Sequence, residues 1–193
     1  EPTNHRGTFT GWESANCGHL DYALRLHLCL FVDSHGKMMM TQYDDLNLLD
    51  DWLLRQAIEQ AERRVPIDEE LVPESVAQLG RVYIHLYVQT IFEGEVGNGG
   101  LHQFFENSSG ALAPIVRDAL EQMNLSDYAN IMGELVTALG PEYPFDQSAR
   151  LVKMQSNPAF QEMLDRGYQA IDVWTEEFCL ARAKYARDNG VVK

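Results

Sequence analysis

His102 and Glu106 stand four residues apart, the spacing at which two side chains on one helix face can share a metal ion. Glu95 could join them from across a turn. No further ligand is apparent, and neither His-Glu-x-x-His nor a paired Glu-x-x-His occurs in the chain. The two read as a solvated pair, and no metal is expected. Gly97-Asn98-Gly99-Gly100 suggests a second chemistry, because N–H groups exposed at a helix start attract phosphate. A phosphate loop needs a cation, and no Lys or Arg lies within ten residues on either side. This turn is therefore expected to be structural, with Glu95, Asn98 and Asn107 hydrogen-bonding the chain ends it leaves open. Asp50-Asp51 and Glu176-Glu177 are sequence neighbours that point in different directions on a helix, so they make no acid–base dyad. Cys17, Cys29 and Cys179 are odd in number and lack metal spacing. No enzyme activity and no cofactor are expected.

Charge points elsewhere. The 193 residues carry 29 acids against 15 bases, a formal net charge of −14. Residues 1–40 hold only four of those acids and three of those bases, so the excess falls almost wholly within 41–193. Such a surface repels nucleic acid and anionic membranes, which excludes direct DNA or RNA binding. No stretch approaches the roughly 20 apolar residues that span a bilayer, and a cytoplasmic protein is expected.

The elements that must carry these charges emerge from periodicity. Residues 1–40 show no helical or strand period and are expected to be an irregular or poorly ordered extension. Met38-Met39-Met40 offers a translation start at its end, so much of the segment reads as upstream sequence. From 41 to 193 the pattern is a single all-α domain, a multi-helix bundle around a central apolar helix with a Gly-rich break. The first helix, 44–64, places Leu46, Leu49, Leu53 and Ala57 on one face and Asp44, Asp51, Glu59 and Glu62 on the other. Pro66 ends it, and Asp68-Glu69-Glu70 forms an acidic connector. The next helix, 74–96, is apolar nearly all round, leaving Arg81, His85, Gln89 and Glu93 as a polar stripe at steps of four. It should stop at the glycines, one of them in a left-handed cap. Leu101, Phe104 and Phe105 form a short turn with both rings inward. Asn107-Ser108-Ser109-Gly110 is a second break whose side chains cap the next helix. Further helices are expected over 111–123 (Pro114 in its first turn), 127–139 (Ser126 as N-cap), 147–155 and 159–188. In the last, Phe160, Met163, Leu164, Tyr168, Ile171, Trp174, Phe178 and Cys179 recur at helical spacing.

The most specific stretch is Glu95-Val96-x-Asn98-Gly99-Gly100-x-x-Gln103-Phe104-Phe105-x-Asn107-Ser108-Ser109-Gly110. It resembles the signature of a bacterial DNA-mimic protein family, named after a dimeric acidic protein that occupies the DNA-binding surface of a transcription factor. Gly97 stands where that family usually has a second Asn. The resemblance extends over roughly 45–188 and implies a homodimer that inhibits a basic, DNA-binding transcription regulator by presenting carboxylates to it. Duplex DNA carries a charge every ~1.7 Å of axis, whereas acids four apart on a helix give one per roughly 6 Å. One acidic helix is too dilute, so a mimic needs several acidic faces or a dimer. The partner-binding candidates are Asp44, Asp51, Glu59, Glu62, Asp68, Glu69 and Glu70. A toxin-neutralising inhibitor and an unrecognised enzyme in the same fold are the alternatives.

Overall fold

The computed structural model describes residues 44–63 and 71–192, and there the chain is all-helical, with eight α-helices and no strand. They are α1 (Asp44–Arg63), α2 (Glu74–Ala77), α3 (Arg81–Glu106), α4 (Ala113–Gln122), α5 (Ser126–Ala138), α6 (Gln147–Gln155), α7 (Pro158–Ala170) and α8 (Glu176–Asp188), with a 3-10 helix at Ser108–Leu112. The expectations for residues 1–40 and for the connector acids Asp68, Glu69 and Glu70 fall outside the described residues. So do the side chains of Asp44 and Glu62.

The central helix is α3, which packs against α1, α2, α4, α6, α7, α8 and the 3-10 helix. Leu86, Tyr87, Val88, Phe92, Val96, Leu101, Phe104 and Phe105 are its share of the core, and all are buried. Phe92, Phe104, Phe105 and Phe160 stack edge to face in a chain, with centroids 5.1–5.6 Å apart. The first helix buries Leu46 and Leu53 and half-buries Leu49 and Ala57, as its stripe requires.

Four expectations about boundaries are corrected. Gly80, at φ 95°, splits the segment 74–96 into the one-turn α2 and the start of α3, a conformation residues with a Cβ rarely adopt. Helical geometry then runs through Gly97 and Asn98 instead of stopping at Val96. The break is a kink at Gly99 (φ −144°, ψ 18°) and Gly100 (φ 71°, ψ −169°). Gly100 is not in a left-handed helical cap but in the extended positive-φ region that is essentially reserved for glycine. Ser126 begins α5 and does not cap it; Leu125 precedes the helix with no side-chain bond. The long helix 159–188 is two helices. Ile171 leaves helical geometry, Asp172 accepts the backbone N–H of Trp174 at 2.9 Å, and Thr175 caps α8 by accepting the N–H of Phe178 at 3.2 Å. Two side chains competing for backbone donors end one helix and start the next. The expected bounds of 147–155 hold without change, with Asp146 as its cap, and Pro114 lies in the first turn of α4.

Among the described residues no helix is long and apolar enough to cross a membrane.

Candidate functional site

The signature residues converge, but on one another. Glu95, still on the first limb of α3, accepts hydrogen bonds from Gln103 (2.7 Å) and Asn107 (2.9 Å) at one carboxylate oxygen and from Ser109 (2.8 Å) at the other. A carboxylate saturated by three donors ties together the two sides of the kink and the turn after it. Asn107 and Ser109 were expected to cap the following helix; neither forms a side-chain cap there. Asn98 and Ser108 face solvent. Gly110 is buried, and a Cβ on it would lie 2.6 Å from the Arg150 Nε and 2.9 Å from the Phe105 carbonyl.

Arg150 is the residue that sequence reasoning missed. It is fully buried, and its guanidinium donates to the carbonyls of Phe105 (2.8 Å), Asn107 (2.5 Å), Pro144 (3.1 Å) and Phe145 (3.0 Å). These are the orphan acceptors at the end of α3 and in the 140–146 loop, which a helix end must satisfy somehow. The available signal was positional: Arg150 lies four residues before the buried Met154, on the apolar face of α6. Tyr143 adds a bond from its hydroxyl to the Gly110 carbonyl at 2.5 Å. The tight approach of Arg150 requires glycine at 110.

The glycines of the kink have a packing reason as well. A Cβ at Gly97 would meet the Trp174 ring at 2.3 Å, and one at Gly100 would meet the Tyr168 ring at 2.6 Å. Both rings were expected on the apolar spacing of the last helix. Instead they sit at the surface, 55% exposed for Tyr168 and 41% for Trp174, lying over the α3 backbone.

The polar stripe of α3 is mostly buried. His85 Nε2 lies 3.0 Å from Asp118 Oδ2, and His85 Nδ1 lies 2.7 Å from the Tyr185 hydroxyl. A neutral ring that donates from Nε2 to Asp118 and accepts at Nδ1 from Tyr185 satisfies both contacts. Burial lowers the His85 pKa, opposed by Asp118, while the Arg81 bond at 2.6 Å holds Asp118 below its usual range. Burial raises the Tyr185 hydroxyl pKa above its ordinary value. One turn further on, Gln89 (3.0 Å) and Arg182 (2.8 Å) both donate to Glu93, and Arg182 also pairs with Asp50 of α1. Burial pushes the Glu93 carboxyl up to about 7, with the Gln89 bond pulling the other way. These groups are committed to each other, and they bind α1, α3 and α8 together.

His102 pairs with Asp165 of α7 at 3.0 Å and not with Glu106. Among the described residues no group of three or more His, Cys, Asp or Glu side chains could hold a metal ion. Of the seven partner-binding candidates, Asp51 and Glu59 are exposed on α1. Carboxylates not among those candidates cluster on α7, on the link after it and on the first turn of α8. Glu162, Asp165, Asp172, Glu176 and Glu177 are all exposed, against the single base Arg166 over 158–180. The bases of α8, Arg182, Lys184 and Arg187, follow in its later turns.

Fold and site together define an all-helical protein, wrapped around a kinked apolar helix, whose best-defined polar cluster is a brace and whose exterior is rich in carboxylates. The chain belongs to the DMP19-like protein family, a DNA-mimic family, whose model matches residues 77–189. The match spans residues 95–110, Arg150 and both surface rings; α1 and all seven candidate acids lie before it. No curated protein and no solved structure matches the chain.

Proposed function

We propose that this protein is a non-catalytic DNA mimic that acts in the cytoplasm, presenting carboxylates to a basic DNA-binding regulator and displacing its DNA. The observation that carries this reading is how the charges divide between inside and outside. Over residues 77–189 the chain has 15 acids and eight bases, but 12 of the acids are exposed and only five of the bases. Arg150 and Arg182 are buried on carbonyls and carboxylates, and Lys153 donates to the Leu139 and Glu142 carbonyls at 2.9 Å. Folding withdraws three acids and three bases together, so the whole excess of seven carboxylates over this span stays on the exterior. Acids on several helices, with a homodimer to double them, come nearer the charge density of a duplex than one helix can.

The test is a gel-shift competition in which regulator bound to labelled operator DNA is titrated with this protein at two salt concentrations. Release of DNA that weakens steeply with salt supports mimicry, since exposed charges are screened beyond about 8 Å at physiological ionic strength. The fourfold variant Glu162→Gln, Asp172→Asn, Glu176→Gln, Glu177→Gln should release much less DNA while staying folded by far-UV circular dichroism, with a melting temperature lowered slightly by the loss of two acids from the first turn of α8. Equal release by that variant shows these carboxylates to be a solubility surface only.

A further inference from the structure

We propose that the exposed ring of Tyr168 is the seat for an arginine side chain of the partner, with Asp165 as its counter-charge. The proposal rests on the reading above that the partner is basic, and it names the chemistry of one contact. Tyr168 is 55% exposed on α7 although its neighbours Leu164 and Gly167 on the same helix are buried. Its ring abuts the backbone of Gly100, at the one α3 position whose φ and ψ admit only glycine. A ring backed by main chain is held in place, and its other side is left to solvent.

Asp165 precedes Tyr168 by three residues, which puts the two side chains on the same face of α7. The carboxylate is anchored from below by His102, and its side chain is 72% exposed. A second ring, Trp174, covers Gly97 one turn back along α3 and also reaches the surface. Along the stretch 158–180, which holds both rings, five carboxylates are exposed against the single base Arg166. Negative charge beside an aromatic face repels anions and selects a cation. Of the two side-chain cations, guanidinium is planar and weakly hydrated, so it can stack on a ring while hydrogen-bonding a carboxylate at its edge. Ammonium is compact, strongly hydrated and gains less from the ring. The geometry therefore favours arginine over lysine.

Two labelled peptides, octa-arginine and octa-lysine, serve as probes, with binding to the full chain followed by fluorescence anisotropy. The wild type should prefer octa-arginine. Tyr168→Phe, which keeps the π face, should retain that preference. Tyr168→Leu should bind octa-arginine about two- to fivefold more weakly, with octa-lysine affinity unchanged as the internal control for folding. Asp165→Asn should weaken both peptides. If both peptides bind the Tyr168→Leu variant as they bind the wild type, the arginine seat is wrong while the acidic-surface reading stands. If neither peptide binds the wild type, both fall.

Discussion

Replacing Arg150 by Met removes a guanidinium and keeps most of the apolar stem. Four carbonyls then lose their donor: Phe105, Asn107, Pro144 and Phe145. The bonds to Phe105 and Pro144 are buried, whereas those to Asn107 and Phe145 lie where water can replace part of the lost bonding. Two buried acceptors left unsatisfied cost about 1–3 kcal/mol each. Relief of the desolvation borne by a buried cation offsets some of this. A net loss of about 4 kcal/mol is expected, equivalent to roughly 8–16 °C in melting temperature for a chain of this size. Arg150→Lys should fare little better, because one ammonium cannot reach around a fork of four acceptors. Urea unfolding followed by far-UV circular dichroism measures the loss, and an unchanged m-value confirms that native stability moved. A loss below about 1 kcal/mol for Arg150→Met would falsify the view that this side chain closes the end of α3.

The kink and the aromatic chain make further predictions. Gly100→Ala should cost at least ~2 kcal/mol, since φ 71° with ψ −169° is strained for any Cβ and the Tyr168 ring fills the space. Gly99→Ala, at negative φ, should cost less, because only the Gln103 side chain and its bond to Glu95 must shift; equal losses in thermal melts contradict the assignment. Phe104→Ala should cost about 3–5 kcal/mol because the ring is fully buried between Phe92 and Phe105. The two buried titratable groups on α3 should give opposite pH slopes. His85 has a folded pKa below its ordinary 6.5, so its contribution is intact above that pH and is lost as pH falls below it. Burial raises the Glu93 carboxyl from 4.5 to about 7 against the pull of its Gln89 and Arg182 donors. It therefore keeps a proton to higher pH in the folded chain than in the unfolded one, and stability is lost as pH rises from about 4.5 to 7. Urea midpoints at pH 5, 6 and 7 should therefore fall less with rising pH in Glu93→Gln than in the wild type. His85→Asn should fall less than the wild type on acidification; slopes that leave both variants parallel to the wild type rule the assignment out.

Local pattern was enough for much of this protein. The 3.6-residue recurrence of Leu46, Leu49, Leu53 and Ala57 defines a helix and its buried face without reference to any other segment. Asp146 and the polar residues around it mark the start of 147–155, and the cluster of glycines at 97–100 announces a break before two inward rings. Each of these signals depends on residues within a turn or two of one another. What the sequence left open depends on residues far apart in it. Periodicity shows that Arg81, His85, Gln89 and Glu93 share a face. Burial of His85 and Glu93 required Asp118, Tyr185 and Arg182 to arrive from other helices, between 33 and 100 residues away along the chain. Arg150 reads as a surface base in a short helix until Phe105 and Asn107 bring their carbonyls to it across 45 and 43 residues. Tyr168 and Trp174 carry apolar spacing and still face outward, because the helix that would have buried them ends at Ala170 and the glycines of α3 supply backbone for the rings to rest on. A polar residue on an apolar face becomes buried only when a partner meets it, and that meeting is decided by tertiary packing.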